Sequence, residues 1–168
     1  METRIWYPQF DIYDSIRRQG VVLYNYHSIE ISLEFLFMCD FYVCNPSLMA
    51  RASMARDERN AFNSSGIPKP SAQFIAFPNE RVLYAKMAGI QRQATKELAA
   101  RSLIDVGRYR DGWATPTSSG TALFEAWWVK NTDHLEQKTV GFLRRYFAPD
   151  HEGSANIVKK KTGLTRAL

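Results

Sequence analysis

Apolar residues recur at helical spacing through the first part of the chain. In residues 11–26 they stand at positions 12, 16 and 23, which make one face of a helix. Asp11 or Asp14 is a suitable cap for its start. Gly20 interrupts the pattern, and glycine costs a helix about 1 kcal/mol relative to alanine. It therefore predicts either a break in this helix or a close contact with another one.

A second apolar segment follows at residues 28–44. Ser28, with Glu30 nearby, has the composition of a helix cap, and apolar residues then repeat at helical spacing. The helix is expected to end before the Asn45-Pro46 pair, because the residue that precedes a proline disfavours helical angles.

Asp40 is a carboxylate within this otherwise apolar segment. No second acid or histidine stands near it in sequence, which disfavours a catalytic role. A charged side chain in such a place either lies at the helix edge or has a partner of opposite charge. Arg17 is our candidate partner, and a pair of Arg17 with Asp40 would orient the two N-terminal helices.

The middle of the chain changes character. Residues 51–80 start as a charged helix and then become rich in serine, glycine and proline, which is typical of a surface linker or mobile loop. Within this region, the AQFIAF run at residues 72–77 predicts a short strand. Residues 81–104 return to helical spacing, with Gly89 in the middle. This pattern permits one long helix, or two helices that meet at Gly89 as in a helix-turn-helix.

The next segment predicts a β-hairpin. Residues 106–110 alternate like a strand, Asp111 and Gly112 form a favoured two-residue turn, and residues 113–115 return. Pro116 stops the returning strand, and Thr117 or Ser118 caps another helix. A helix, a short hairpin and a second helix in this order indicate a winged helix, with a generic α+β domain as the alternative.

A last amphipathic helix, ended by Pro149, completes the pattern. We therefore predict a mostly α protein with a small β-hairpin, in which an N-terminal helical segment precedes a winged-helix-like domain. The predicted regions are an aromatic lead-in with two helices (1–50), a loop or linker (51–80), the winged-helix-like module with a C-terminal helix (81–148) and a flexible basic tail (149–168).

Length and charge limit the possible functions only loosely. A chain of 168 residues is expected to form one domain. The net charge of +5 suits contact with nucleic acid or an acidic partner, although part of the excess comes from the C-terminal lysines. The aromatic content of 13% favours a core rich in aromatic side chains over a binding interface, although aromatic residues are common in both.

Motifs for catalysis or cofactor binding are missing from the sequence. It contains no glycine-rich phosphate loop and no nucleophile elbow, and the three histidines are scattered. Cys39 and Cys44 are five positions apart in an apolar run and are interpreted as reduced, buried side chains. We therefore predict a protein that is not an enzyme and has no cofactor or metal. No signal peptide or apolar run of membrane-spanning length is present, which predicts a cytoplasmic location without a membrane partner.

Two interpretations of the second half remain open. In a DNA-binding protein, the helix after Gly89 would face a groove and the hairpin would contact phosphates. The candidate DNA contacts are then Gln91, Arg92, Lys96, Arg108 and Arg110. In a protein-binding module, exposed aromatic residues would supply much of the contact energy. The candidate interface residues are Trp6, Tyr7, Phe10, Tyr13 and Trp113.

Three short motifs stand out in the two halves of the chain. The first is YPQFDIYDSIRR at residues 7–18, and the second is DFYVCNP at residues 40–46. The third combines Leu98, Arg101, Leu103, Ile104 and Asp105 with Thr115 or Thr117 and Gly120. Together these motifs resemble those of the middle-component proteins of ABC three-component systems, bacterial defence operons of the Lamassu type.

The resemblance implies an adaptor that lacks catalytic activity. Such a protein would accompany an SMC/Rad50-like ABC ATPase and an effector, often a nuclease, and would hold the effector inactive until foreign DNA is sensed. Direct contact with double-stranded DNA would be weak and independent of sequence. The alternative is a winged-helix transcriptional regulator, which would bind a specific operator.

Overall fold

Helices dominate the computed structural model, which describes residues 7–70, 79–147 and 156–165. Two 3-10 turns, Pro8–Phe10 and Pro46–Arg51, flank the first two helices. The α-helices are α1 (Ile12–Asn25), α2 (Leu33–Cys44), α3 (Arg56–Ser64), α4 (Glu80–Ala100), α5 (Val106–Arg110), α6 (Ser118–Asn131), α7 (His134–Tyr146) and α8 (Asn156–Thr162). Two short strands, β1 (Ile31–Ser32) and β2 (Trp113–Ala114), pair in an antiparallel manner.

Helix α1 lies at the centre and packs against α2, α4 and α6. Asp11 caps it by accepting hydrogen bonds from the backbone N–H groups of Tyr13 and Asp14, so the first of the two predicted caps is confirmed. Gly20 does not break the helix. A Cβ atom added there would lie 2.6 Å from the side chains of both Phe124 and Trp127, so the predicted close contact is confirmed, with α6 as the neighbour.

Helix α2 is apolar on nearly all sides, and it is buried accordingly. It ends at Cys44, before the Asn45-Pro46 pair, as predicted. Its start differs from the prediction. Ser32, and not Ser28, is the cap and accepts from the N–H of Phe35. The reason is that Ile31 and Ser32 are extended and pair with β2, which delays the helix.

Helix α4 is a single helix, so the two-helix alternative at Gly89 does not apply. Gly89 is exposed, and a Cβ added there would meet no atom within 4 Å. Residues on either side of it, such as Met87 and Ala94, are buried on one common face. Burial of that face holds the helix together across the glycine.

The predicted hairpin is wrong. Residues Val106–Arg110 form helix α5, capped by Asp105, which accepts a hydrogen bond from the N–H of Arg108. Gly112, with φ of +88°, follows the end of this helix. The returning strand pairs with β1, in the register Ile31 to Ala114 and Ser32 to Trp113. The mostly α character with a small antiparallel sheet is thus confirmed, but the sheet joins distant segments and the wing of a winged helix is not formed by residues 106–115.

A tight connection precedes helix α6. Thr117 caps the helix by accepting from the N–H of Gly120, and its own hydroxyl donates to the carbonyl of Ser102 over 2.7 Å. Its backbone N–H donates to the carbonyl of Leu103. A Cβ atom at Gly120 would lie only 1.9 Å from that same carbonyl oxygen. The third motif therefore brings two chain segments into backbone contact, which only glycine permits.

The C-terminal region is more ordered than predicted. Residues 156–162 form α8, and Val158 and Leu164 are buried. Lys161 donates to Glu58 of α3, and Lys159 lies 2.8 Å from Glu34 of α2. The prediction of a flexible tail is therefore wrong for residues 156–165, because apolar contacts and ion pairs attach them to the core.

The region predicted as a linker contains helix α3, which agrees with the charged helix expected at its start. Its Phe62 is buried, as is Ile67 in the segment that follows. The strand predicted at residues 72–77 and the aromatic side chain of Trp6 lie outside the described residues.

Candidate functional site

The first two motifs meet at a small open cleft of about 220 Å³. The cleft lies where the start of α1, the end of α2 and the start of α7 come together. Charged side chains are prominent in its lining, which includes Pro8, Asp14, Arg17, Arg18, Pro46 and Glu136. This concentration of charge at converging helices makes it the candidate site.

Arg18 occupies the inner side of the cleft, and its side chain is only 2% exposed. Its Nε donates to Asp40 Oδ1 over 2.8 Å, and its Nη1 donates to Asp14 and to the carbonyl of Pro8. Burial lowers the pKa of Arg18, but the charge of Asp40 and its hydrogen bond outweigh this effect, so the pKa lies above its ordinary value. The guanidinium is therefore a permanent cation held between carboxylates.

The predicted pair of Arg17 with Asp40 is therefore wrong, since Asp40 pairs with the next arginine in the chain. One position along a helix changes the direction of a side chain by about 100°. Arg18 shares the α2 side of α1 with Ser15, which also donates to Asp40. Arg17 points instead toward α7.

The buried ion pair continues into a chain of amide and hydroxyl groups. Gln91 of α4 donates to Asp40 Oδ2 over 2.7 Å. Gln19 donates to the carbonyl of Gln91 over 3.0 Å and accepts from the hydroxyl of Thr95 over 2.7 Å. All of these side chains are buried. Gln91 was a candidate DNA contact; this interpretation is wrong, because its side chain joins α4 to α1 and α2 inside the core.

Arg17 makes the outer connection. Its two terminal nitrogens each donate to a different oxygen of Glu136, both over 2.9 Å, and it also donates to Asp14 and to the carbonyl of Asn131. Burial lowers the pKa of Arg17, but hydrogen bonds to Glu136 and Asp14 and the charges of these carboxylates outweigh that effect. The pKa of Arg17 is therefore above its ordinary value. Bidentate pairing of this kind gives fixed geometry as well as energy. It ties α1 to the α6–α7 connection.

These bonds determine what the cleft can do chemically. Both guanidinium groups are engaged by carboxylates, which leaves little capacity for an external anion. Burial raises the pKa of the Cys44 thiol to about 12, so the thiol stays protonated and is a poor nucleophile. Among the described residues, no group of three or more histidine, cysteine, aspartate or glutamate side chains is arranged to hold a metal ion. The arrangement is suited to fixing the relative orientation of four helices.

The candidate DNA contacts fall into two groups. Arg92 and Lys96 are exposed on the outer face of α4. Arg108 instead donates to Glu30 over 2.6 Å, and this hydrogen bond lowers the pKa of the Glu30 carboxyl. Arg110 is exposed at the end of α5. The structure therefore does not bring these four side chains together on a wing and a recognition helix.

The candidate interface residues also differ in exposure. Tyr7, Phe10 and Tyr13 are 56%, 46% and 79% exposed. Trp113 is half-buried, and the Arg108 guanidinium lies 5.5 Å from its ring centre. The lead-in residues are therefore the ones available for contact with a partner, and we call Tyr7, Phe10 and Tyr13 the lead-in surface.

The sequence interpretation missed two further exposed apolar residues. Leu123 and Val129 on α6 are 36% and 67% exposed. A signal for them exists in the sequence, since α6 carries apolar residues on both its inner and outer sides. The buried network was missed as well. Its signal is the set Ser15, Arg18 and Gln19, polar residues at helical spacing on one side of α1.

None of the helices in the described part of the chain combines the length and the apolar character that crossing a bilayer requires.

Comparison with known proteins identifies the family of the chain. No curated protein and no solved structure shows significant similarity to the chain. One protein family, described as ABC-three component (ABC-3C) system Middle Component 5, matches residues 4–167, which is nearly the whole chain. The match includes every segment that forms the cleft and the connection before α6. The chain therefore belongs to the Middle Component 5 family of ABC-three component systems.

Proposed function

We propose that this middle component is a non-catalytic adaptor in a bacterial anti-phage or anti-plasmid defence complex of the Lamassu type. It bridges an SMC/Rad50-like ABC ATPase and an effector, for which a nuclease is the first expectation. It helps to keep the effector inactive until foreign DNA is sensed. Family membership supports a role within such a system, and the distribution of exposed apolar residues supports the role of an adaptor.

That distribution is the observation that carries the proposal. Seven large hydrophobic side chains are exposed among the described residues, and five of them lie on the lead-in surface or on α6. Three of these five, Tyr7, Phe10 and Tyr13, are aromatic, and aromatic residues are frequent anchors in protein interfaces. The other two of the seven, Val82 and Val106, stand on α4 and α5.

The order of contacts between α1 and α6 shows where their exposed apolar residues lie. Tyr24 of α1 is near Glu125, Gly20 is near Trp127, and Arg17 reaches the carbonyl of Asn131, so α1 and α6 run antiparallel. Tyr13 is one turn before Arg17 on the same side of α1 and therefore lies toward the C-terminal end of α6, where Val129 is exposed. Val129 therefore lies at the same end of the helix pair as Tyr13, whereas Leu123 lies at the other end, beyond the contact of Glu125 with Tyr24. An adaptor with exposed apolar side chains at both ends of this pair can contact two partners at separate sites.

The buried charges support the same function. Helix α1 presents Tyr13 on its surface, and ion pairs of Arg17 and Arg18 attach the same helix to α7 and α2. The lead-in surface is therefore held at a fixed angle to α2, α4 and α7. A surface that is already in its bound geometry loses less entropy on association, which favours tight complexes.

Co-purification of the complete three-component operon tests the proposal. A variant with Tyr7→Ala, Phe10→Ala and Tyr13→Ala should lose the ATPase or the effector from the purified complex. Leu123→Ser with Val129→Ser should weaken retention of the other component. The matched control is Val82→Ala with Val106→Ala, which removes exposed apolar side chains elsewhere and should leave the complex intact. Equal retention of both components by all three variants would show that these surfaces do not make the complex.

The winged-helix regulator remains the second candidate, favoured only by the exposed Arg92 and Lys96 on α4. If the protein is such a regulator, the isolated protein must bind one particular DNA sequence and protect it from cleavage in a footprinting experiment. Footprinting over the promoter of its own operon separates the two functions, since the adaptor should protect no site in preference to unrelated DNA.

A further inference from the structure

The outer face of α4 carries a concentration of unpaired positive charge. Four of its exposed basic side chains have no ion-pair partner among the described residues: Arg81, Lys86, Arg92 and Lys96. The two carboxylates of the same helix are engaged, Glu80 with Arg51 and Glu97 with Arg101. The field above this face is therefore positive. We call the four side chains the α4 ridge.

The ridge extends along most of α4, and three of its four members lie nearly in a line. Positions 81, 92 and 96 fall within an arc of about 60° on a helix of 3.6 residues per turn, with position 86 at the flank. Fifteen residues separate the first from the last, which corresponds to about 22 Å along the axis. One strand of duplex DNA presents a phosphate about every 3.4 Å of axis, so the ridge extends past about six of them.

The ridge also differs from the rest of the basic surface. Many other cations are neutralised within the protein: Arg17, Arg18, Arg51, Arg108, Lys159 and Lys161 all form ion pairs. Arg92 in addition borders an open cleft of about 560 Å³, whose lining includes the ion pair of Lys159 with Glu34. Arg81, at the start of α4, lies beside Gly163, just after α8.

The side chains between the cations indicate what binds there. Ala85, Gly89 and Gln93 are exposed on the same face, and Val82 is the single large hydrophobic residue exposed on this helix. A protein interface is usually anchored by buried aromatic or aliphatic residues, and this face offers almost none. Cations separated by small side chains let a charged backbone approach closely.

We propose that the α4 ridge binds the phosphate backbone of double-stranded DNA without reading its sequence. This binding is separate from the adaptor role, because the ridge shares no residue with the lead-in surface or with the exposed residues of α6. It gives the middle component its own means of contacting the DNA to which its complex responds.

Fluorescence anisotropy with two unrelated duplexes, measured over a series of salt concentrations, tests the proposal on the full chain. The test variant is Arg81→Gln, Lys86→Gln, Arg92→Gln and Lys96→Gln. The control variant carries Arg56→Gln, Lys69→Gln, Lys130→Gln and Arg145→Gln, which removes the same number of arginines and lysines from exposed positions elsewhere. Both variants therefore have the same net charge.

The ridge variant should bind both duplexes at least about tenfold more weakly at low salt. The slope of log K against log salt should fall by about 3 to 4, because each lost phosphate contact removes about 0.9. The control should retain most of its affinity and its slope. Arg92→Gln with Lys96→Gln alone should lower the slope by about half as much, which keeps the test valid if the fourfold variant is poorly folded.

Three results would overturn the proposal. Equal losses in the two variants would mean that only net charge matters. Loss of affinity for one duplex only would identify a sequence-specific reader. Unchanged DNA binding combined with loss of the ATPase or effector would assign the ridge to an acidic protein partner. If DNA binding fails as expected while the complex still co-purifies, the adaptor function is unaffected, so the two proposals can fail separately.

Discussion

Arg18 and Asp40 form an ion pair that is shielded from solvent between three helices, with 2.8 Å from Nε to Oδ1 and side-chain exposures of 2% and 0%. Bringing two charges out of water costs several kcal/mol per ion, and their attraction only repays this when the geometry is good and the other polar atoms are bonded. Here Ser15, Gln91 and Asp14 complete the bonding. An arrangement of the helices that separated Arg18 from Asp40 would leave a buried charge without its partner, which is strongly unfavourable.

Asp40→Asn should lower the free energy of unfolding by about 3 kcal/mol, because it leaves the buried Arg18 without its main counter-charge. Urea denaturation followed by circular dichroism measures the change. The double variant Arg18→Met with Asp40→Leu should lose less than the sum of the single variants, since no charge is then left unpaired. Wild-type stability in Asp40→Asn would show that the pair is unimportant.

Gly20→Ala and Gly89→Ala should change stability in opposite directions. The new Cβ at Gly20 would press on Phe124 and Trp127 at 2.6 Å, and such overpacking costs about 1 to 3 kcal/mol. At Gly89 it would meet nothing within 4 Å, so the better helix propensity of alanine should stabilise the protein by up to about 1 kcal/mol. Thermal unfolding of the two variants side by side checks both signs. A higher melting temperature for Gly20→Ala would mean that α6 can move away from α1 without loss of stability.

Gly120→Ala should be the more damaging of two substitutions at the start of α6. Its Cβ would lie 1.9 Å from the Leu103 carbonyl oxygen, a backbone atom that cannot rotate away. We expect a loss of about 3 kcal/mol or more, against about 1 to 2 kcal/mol for Thr117→Ala, which removes the cap and the hydrogen bond to the Ser102 carbonyl. Chemical denaturation compares them directly. A loss at Gly120 no larger than that of Gly141→Ala, an open position in α7, would contradict the contact.

The attachment of α8 to α3 should weaken in acid. Burial of Glu58 raises the pKa of its carboxyl, but the hydrogen bonds from Lys161 and from the Ala55 N–H outweigh this effect and hold the pKa below its ordinary value of 4.5. A carboxyl with a lowered pKa in the folded state adds stability above its unfolded pKa and loses it as the pH falls through the folded value.

The difference in stability between wild type and Glu58→Gln should therefore be constant from neutral pH down to about 5 and shrink below about pH 4.5. For a partly exposed pair we expect about 0.5 to 1 kcal/mol at neutral pH. Melting temperatures of both proteins from pH 7 to pH 3 measure this, and other titrating groups cancel in the difference. A difference that is independent of pH would show that Lys161 does not interact with the charged form of Glu58.

Local chemistry in the sequence was enough to predict several helix ends. Asp11 and Thr117 cap their helices, and Pro46 follows the end of α2, because each acts on backbone groups within three residues of itself. Helix α7 was likewise predicted from its apolar spacing. Family membership was also recognisable from short motifs, whose residues maintain the cleft and the connection before α6.

Other features could not be predicted, because they depend on neighbours that are distant in sequence. The strand pairing of Trp113 with Ser32 joins segments that are far apart in the chain, and no local pattern marks it. The alternation of residues 106–110 is compatible with a strand, yet the cap at Asp105 and the left-handed Gly112 make them a helix. Docking of α8 depends on Glu34 and Glu58, two acids that lie on different helices.

The helical character, several helix ends and the apolar faces of the helices can be predicted from the amino-acid sequence, since they follow from residue spacing and from contacts within one turn. Which of two adjacent arginines pairs with Asp40, and why Gln91 is internal while Arg92 is exposed, depends on how the helices pack. Both cases have one cause. Neighbouring residues on a helix point about 100° apart, so their environments are determined by which helices pack around them.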